Sequence, residues 1–446
     1  MKQYPMYIMN RAQYLTFQSA IHYPKSDESP PVTRHVFDNG LTLLIQENHF
    51  NETIAIGGRL KAGSMYDPSD LCGCSNFVAN MLTKGTTNRT WEEIAGATES
   101  VGASLGVWGN TETVGIEGRL LSKDFDCVLD VLNEILRQPT FPEDEIEKHR
   151  IQVYSWLKSS EDDPQHVASL LLQGMIYPPE HPYHHPVQGT EMSIGSIHRK
   201  ALMDFHARYY RPDSLILAVV GDVNTQEIIK KIEAEMGDWH VAAEEIPFKV
   251  PVVEYGEKQT AVKPMMDKSQ VNIELGHKGI ARANPDFYSF NLMNIILGGS
   301  AGLARLFGRV RDVQGLAYSV WSSFSPSIGE GPFYASAGVS PENVDKAIAS
   351  ILHEIELIKS EGVTAQELAD AQNFVVGNFA LTLETNKGLV SLLLFEELYD
   401  LGLDHPARHE SIYRSITREQ VNAAAQKYLH PDKFCIAIAG PYQNGR

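Results

Sequence analysis

The chain has 446 residues, too many for one core at about 150 residues per domain, so two to three domains are expected. Hydrophobic residues make up 43% and charged residues 21%, a balance ordinary for globular proteins that excludes wholesale disorder. A formal net charge of −18 repels phosphate backbones and excludes nucleic acid as a general partner; the same acidity suits plain solubility or attraction of basic peptides.

Residues 1–32 read as an N-terminal extension. It carries Lys2, Arg11 and Lys25 with no acid before Asp27, a weak mitochondrial-like pattern, but Pro5 and Pro24 interrupt it and no continuous apolar block marks a signal peptide. No stretch approaches 18 apolar residues, so no membrane span is expected and the location expected is cytoplasmic. Next, Asn39-Gly40 between the two strand-like runs of residues 35–46 predicts a hairpin, and Ile54–Leu60 a further strand. Cys72, Cys74, Cys127 and Cys435 form neither a disulfide framework nor a zinc-finger spacing. Asp124–Leu136 and Glu143–Leu157 read as helices, the second with Pro142 at its start and acids in its first turn.

Residues 238–264 are rich in Glu, Lys, Val and Pro and lack helical periodicity, as expected of a joint. Beyond it, Val271–Leu275 reads as a strand. Phe287–Leu297 reads as a helix stopped by Gly298-Gly299, and Val344–Ile358 and Ala365–Leu383 as further helices. His405 and His409 stand one helical turn apart, but beside a Pro in a polar stretch, and read as a surface feature rather than a metal pair.

The chain repeats itself. Tyr209, Pro212, Asp213, Ala218 and Gly221 recur as Tyr428, Pro431, Asp432, Ala437 and Gly440, all at one offset of 219 positions. Each copy reads as a helix, a Pro-Asp turn and a short apolar strand ending at Gly. The expectation is two homologous halves, 33–240 and 263–446, joined by a linker at 241–262. Strand and helix blocks without strict alternation make each half α+β, a largely antiparallel sheet packed with helices.

Several segments carry a resemblance. They are Lys61-Ala62-Gly63-Ser64, Gly73 through Thr86, Tyr183 through Glu191, Tyr210-Arg211-Pro212-Asp213, Gly298-Gly299-Ser300 and Gly315 through Val320. Together they are similar to the pitrilysin and mitochondrial-processing-peptidase family of inverzincin metallopeptidases, whose signature is HxxEH. The resemblance implies a clam shell of two halves around a chamber. It also implies a zinc site of two His one helical turn apart, a Glu as general base and a distant Glu ligand. The matching positions here are Asn76, Ala79, Asn80 and Trp156. A carboxamide is a poor zinc ligand and alanine accepts no proton, so no metal and no cofactor is expected in this chain.

The family also carries an Arg and a Tyr seven residues apart, matched by Arg311 and Tyr318. The resemblance gives them substrate binding and transition-state stabilisation, since a guanidinium offers planar donors to a peptide carbonyl and a phenol can donate to the developing oxyanion. It implies a homologous partner subunit that bears HxxEH and the zinc, with peptides as substrates of the heterodimer. Peptide would add to a sheet edge, with Ser104, Leu105, Gly106 and Val107 as the candidate edge; a glycine-softened core strand reads equally from the same residues. The alternative is a non-enzymatic scaffold or peptide-binding, core-like subunit of a larger complex.

Overall fold

The computed structural model describes residues 31–241, 246–300 and 302–443. Most of the N-terminal extension, part of the linker and Ala301 of the short glycine loop therefore lie outside the described residues. The first half builds a six-stranded sheet from β1 (Thr33–Val36), β2 (Thr42–Glu47), β3 (Thr53–Leu60), β4 (Ser104–Gly109), β5 (Val114–Leu121) and β6 (Leu215–Gly221). The spatial order is β1-β2-β6-β3-β5-β4; only β2 and β6 run parallel. The second half repeats the plan with β7 (Thr260–Pro264), β8 (Val271–Lys278), β9 (Ala317–Phe324), β10 (Pro332–Val339) and β11 (Cys435–Gly440). Its order is β7-β11-β8-β10-β9, and only β7 and β11 run parallel.

The helices between them are α1 (Cys74–Met81), α2 (Trp91–Glu99), α3 (Phe125–Arg137), α4 (Glu143–Ser160), α5 (Pro164–Ile176), α6 (Glu191–Ser196), α7 (Arg199–Tyr209) and α8 (Thr225–Met236). The second half adds α9 (Phe287–Asn294), α10 (Val344–Ser360), α11 (Ala365–Thr382), α12 (Asn386–Leu398), α13 (His405–Ser415) and α14 (Arg418–Tyr428). Local chemistry sets their ends: Thr90, Thr190, Thr364 and Thr417 each close a capping box, and Asp163 caps α5 ahead of Pro164.

Every residue of β6 and of β11 is buried. Near-continuous apolar runs of this kind mean that both faces of a sheet are covered. One face is covered locally. Ile54, Ile56 and Leu217 meet Phe77 of α1 and Leu132 of α3, while Ile273, Leu275 and Ile438 meet Phe290 of α9 and Ile351 of α10. The other face is covered by exchange. Ala55, Ile216, Ala218 and Val220 pack under Val390, Leu393 and Leu394 of α12, a helix of the second half. Cys435, Ala437 and Ala439 pack under Ala168, Leu172 and Ile176 of α5, a helix of the first half. Each buried aliphatic side chain contributes roughly 1.5–3 kcal/mol, so neither half is complete without the other.

Polar contacts fix the exchange. Asn48 meets Asn386 at 2.7 Å, Lys387 pairs with Glu117 at 2.6 Å, and Arg34 grips Glu397 through Nε and Nη2. Gly57 of β3 lies so close under α12 that an added Cβ would collide with Val390. Gly57→Ala is therefore expected to destabilise the protein by about 1–3 kcal/mol through overpacking. Val390→Ala in the same chain should recover part of that loss, a coupling read from urea denaturation of the single and double variants.

Candidate functional site

Helix α1 starts where the backbone turns at Gly73, which takes φ = +94°, a conformation that favours glycine. The Asp67 carboxylate accepts from the backbone N–H groups of Gly73 at 2.7 Å and Ser75 at 2.8 Å, satisfying donors that a helix start leaves free. Burial pushes this carboxyl up to about 7, against the pull of those amides. Phe77, Val78, Met81 and Leu82 are buried, with the Phe77 ring between His149 and Arg150 of α4. Ser75 Oγ adds a buried hydrogen bond to the Ala62 carbonyl at 2.6 Å, so the helix is seated by capping, packing and this bond.

Asn76 and Asn80 lie one turn apart, both half-buried. Asn80 Nδ2 donates to the Asn76 backbone carbonyl at 2.7 Å and to Asn76 Oδ1 at 3.2 Å. The two amides satisfy each other where the family's pattern needs two imidazoles. Ala79 is buried and offers no titratable group. Trp156 sits on α4, 43% exposed, with its ring edge-on to His166 at 5.3 Å. These four residues do not fit a zinc ion. Among the described residues, no group of three or more His, Cys, Asp or Glu is placed to hold a metal.

β4 ends against α1: a Cβ on Gly109 would come within 2.7 Å of the Asn76 Cα. Among the described residues β4 pairs only with β5 and closes the sheet order, so no strand there takes its outer edge. Leu105 and Val107 pack toward the core, while Ser104 and Gly106 are exposed, with nothing within 4 Å of a Cβ placed on Gly106. The structure therefore brings the candidate edge and the Asn76 end of α1 together.

Arg311 lies in a π-helical turn, Phe307–Val313, that packs along β9. Wide turns of this type are rare and concentrate at functional sites. The Arg311 guanidinium stands 4.5 Å from the Phe307 ring centroid and meets no carboxylate among the described residues. Its neighbour Arg309 ties the turn to the buried Glu354 of α10 at 3.3 Å. Tyr318, on β9, is 64% exposed, and its hydroxyl lies 3.1 Å from Ser340 Oγ. Arg311 and Tyr318 share this region of the second half. No hydrogen bond or ring contact among the described residues joins them to Asn76, Ala79, Asn80 or Trp156.

His405 and His409 are not surface residues. α13 turns His405, His409 and Tyr413 inward at four-residue spacing, and all three are buried. His405 Nδ1 lies 3.1 Å from Glu396 Oε1 and its Nε2 lies 2.8 Å from the Tyr288 hydroxyl. The His409 ring stacks on Phe379 at 3.7 Å, and burial lowers its pKa to about 4. The polar residues around the pair belong to the opposite face of the helix.

Two cavities of about 770 and 920 Å³ open between the halves. Asn76, Ala79, Asn80, Trp156, Arg311 and Tyr318 line neither, whereas Arg59 lines both. Sequence reasoning missed Arg59 and Glu274, a carboxyl on the wall of the smaller cavity. The one signal was a charged residue inside an apolar strand.

The helix face at Asn76 and Asn80 keeps the i,i+4 spacing that lets two imidazoles reach one metal. The double variant Asn76→His with Asn80→His is expected to take up more zinc than the unaltered chain in equilibrium dialysis, though less firmly than a three-ligand site, as read by elemental analysis.

Two family descriptions match the chain: "Insulinase (Peptidase family M16)" over residues 42–182 and "Peptidase M16 inactive domain" over residues 196–375. Among curated proteins, the zinc protease YmxG of Bacillus subtilis is 28% identical over 93% of this chain and 99% of its own length. A zinc protease of Mycobacterium leprae is 25% identical over 94% of each. Among solved structures, a peptidase M16 inactive domain from Pseudomonas fluorescens superposes with a TM-score of 0.87 at 26% identity, covering 93% of this chain and 99% of that one. A protease from Helicobacter pylori shares the fold, with a TM-score of 0.85 at 20% identity over 93% of this chain and all of that one. With an M16 match in each half and the duplicated α+β architecture throughout, this chain belongs to peptidase family M16.

Proposed function

We propose that this chain is the zinc-free subunit of a two-chain metallopeptidase, supplying Arg311 and Tyr318 to a site completed by a homologous subunit that bears HxxEH. The observation that carries this reading is the state of those two side chains. Both are exposed, the guanidinium meets no carboxylate, and the turn that holds Arg311 is fastened through Arg309 to Glu354. A surface arginine kept for solubility needs no such anchorage. Toward a bound peptide, the guanidinium would donate to a backbone carbonyl and the phenol to the oxygen on which charge develops. The zinc and its activated water belong to the partner.

A second reading, a peptide-binding scaffold without hydrolysis, draws on the outer edge of β4 beside Asn76 and Asn80, which are closed on each other. Strand addition along Ser104–Val107 would give affinity through main-chain bonds alone. No helix among the described residues is long and apolar enough to cross a membrane.

The test is co-purification from the native source, followed by metal analysis and peptide hydrolysis. The chain alone is expected to be inactive, and hydrolysis to appear with a zinc-bearing homologue. In that complex, Tyr318→Phe should lower kcat about 10²–10³-fold, the usual cost of one oxyanion donor, and Arg311→Ala should sharply reduce turnover through weakened peptide binding. Undiminished turnover in both variants would remove the assigned role. Peptide binding without hydrolysis in the presence of every co-purifying chain would favour the scaffold.

A further inference from the structure

The repeat makes the two sheets comparable strand by strand. Ala218 of β6 and Ala437 of β11 are equivalent by the 219-residue offset. Ala218 pairs with Gly57 across the first sheet, and Ala437 pairs with Glu274 across the second. Glu274 therefore occupies the place that Gly57 holds in the other half. At Gly57, α12 closes down on the sheet with no room for a side chain. At Glu274, α5 leaves a cavity of about 770 Å³ and a carboxyl on its wall. The fold itself thus has no need of a charge at this position.

Glu274 is only 3% exposed. Its one side-chain hydrogen bond comes from Ser169 at 2.7 Å, and among the described residues no lysine, arginine or histidine pairs with it. Arg59 faces the same cavity from the first half. It lines the larger cavity as well, lies 5.7 Å from the Trp108 ring centroid, donates to its own neighbour's carbonyl at Gly58, at 3.0 Å, and among the described residues forms no ion pair, although the Glu117 charge acts on it. Burial pushes the Glu274 carboxyl up to about 7 and pulls the Arg59 guanidinium down. Each group is held in a state that an oppositely charged neighbour would relieve. The other carboxyl of the wall, Glu112, is already occupied: it accepts from the Tyr183 hydroxyl and, at 2.8 Å, from the Ile328 N–H.

We infer that this cavity between the halves is a binding site for a small zwitterion, an amino acid or short peptide with free termini, whose ammonium meets Glu274 and whose carboxylate meets Arg59. The volume lies within the range of small-molecule sites. Leu172, Ile176, Phe395 and Leu398 give the lining apolar ground, and Asn110, Gln173 and several hydroxyl side chains add neutral polar groups that suit a polar ligand. Because the walls come from both halves, a ligand here also links them. Neither Arg311 nor Tyr318 lines the cavity, so the inference stands apart from the proposed peptidase role.

The test uses the full chain alone, with no partner and no metal. Glycine, diglycine, triglycine and tetraglycine are titrated calorimetrically, and the tightest member is then compared with its N-acetylated and C-amidated forms. Saturable binding of one molecule per chain is expected. Each blocked form should bind at least tenfold more weakly, and so should the free probe with Glu274→Gln or Arg59→Met. Glu274→Gln keeps the acceptor for Ser169; should either variant fail to fold by circular dichroism, the blocked probes on the unaltered chain decide alone. No binding by any of the four, or equal binding of free and blocked forms, overturns the inference. Binding that survives both substitutions overturns it as well.

Discussion

Each sheet has two apolar faces and only one set of local helices to cover them. That constraint organises the molecule. The uncovered face of the first sheet, around Ala55, Ala218 and Val220, waits for α12; that of the second, around Ala437 and Ala439, waits for α5. A helix lent in each direction satisfies both, and the hydrogen bonds at Asn48, Asn386 and Glu117 settle its register. The same exchange creates the cavities, because two twisted sheets and two borrowed helices do not meet flush everywhere.

The candidate site depends on the scaffold in a different way. α1 is held by Asp67 at its start and by Phe77, Val78 and Met81 along its inner face. None of these contacts involves Asn76 or Asn80, so the chemistry of that outer face can change without loss of the helix. The residues that seat the helix and the residues of its outer face are separable here because they occupy opposite sides of one element. On the second half the reverse holds: Arg311 is exposed, yet the turn beneath it is anchored by Arg309 on Glu354.

Much of the architecture was legible in the amino-acid sequence, for identifiable reasons. α3 was expected over Asp124–Leu136 and forms over Phe125–Arg137, because its apolar stripe is strong and its neighbours are polar. The hairpin at Asn39-Gly40 forms with Gly40 at φ = +90°. The duplication was legible because its turns and strand ends demand Pro, Asp and Gly. The helix exchange was not: a strand apolar on both faces announces that it is covered, not which helix covers it. His405 and His409 were misjudged because neighbouring polar residues conceal which side of a helix turns inward. At the candidate site, the residue types at positions 76, 79 and 80 are plain in the sequence. That Asn76 and Asn80 bond to one another, and that Glu274 and Arg59 line one cavity, are facts of three-dimensional placement.

The exchange also imposes an order on synthesis. The last strand of the first sheet ends at Gly221, whereas the helix that shields its outer face begins at Asn386. At roughly 5–20 residues per second, that interval is on the order of ten seconds. Throughout it, Leu44, Ala55, Ile216 and Val220 stand bare on a folded or folding sheet beside the ribosome. The nascent chain is therefore exposed to self-association before its second half exists, and a chaperone that shields flat apolar sheet surface would act in that window rather than after release.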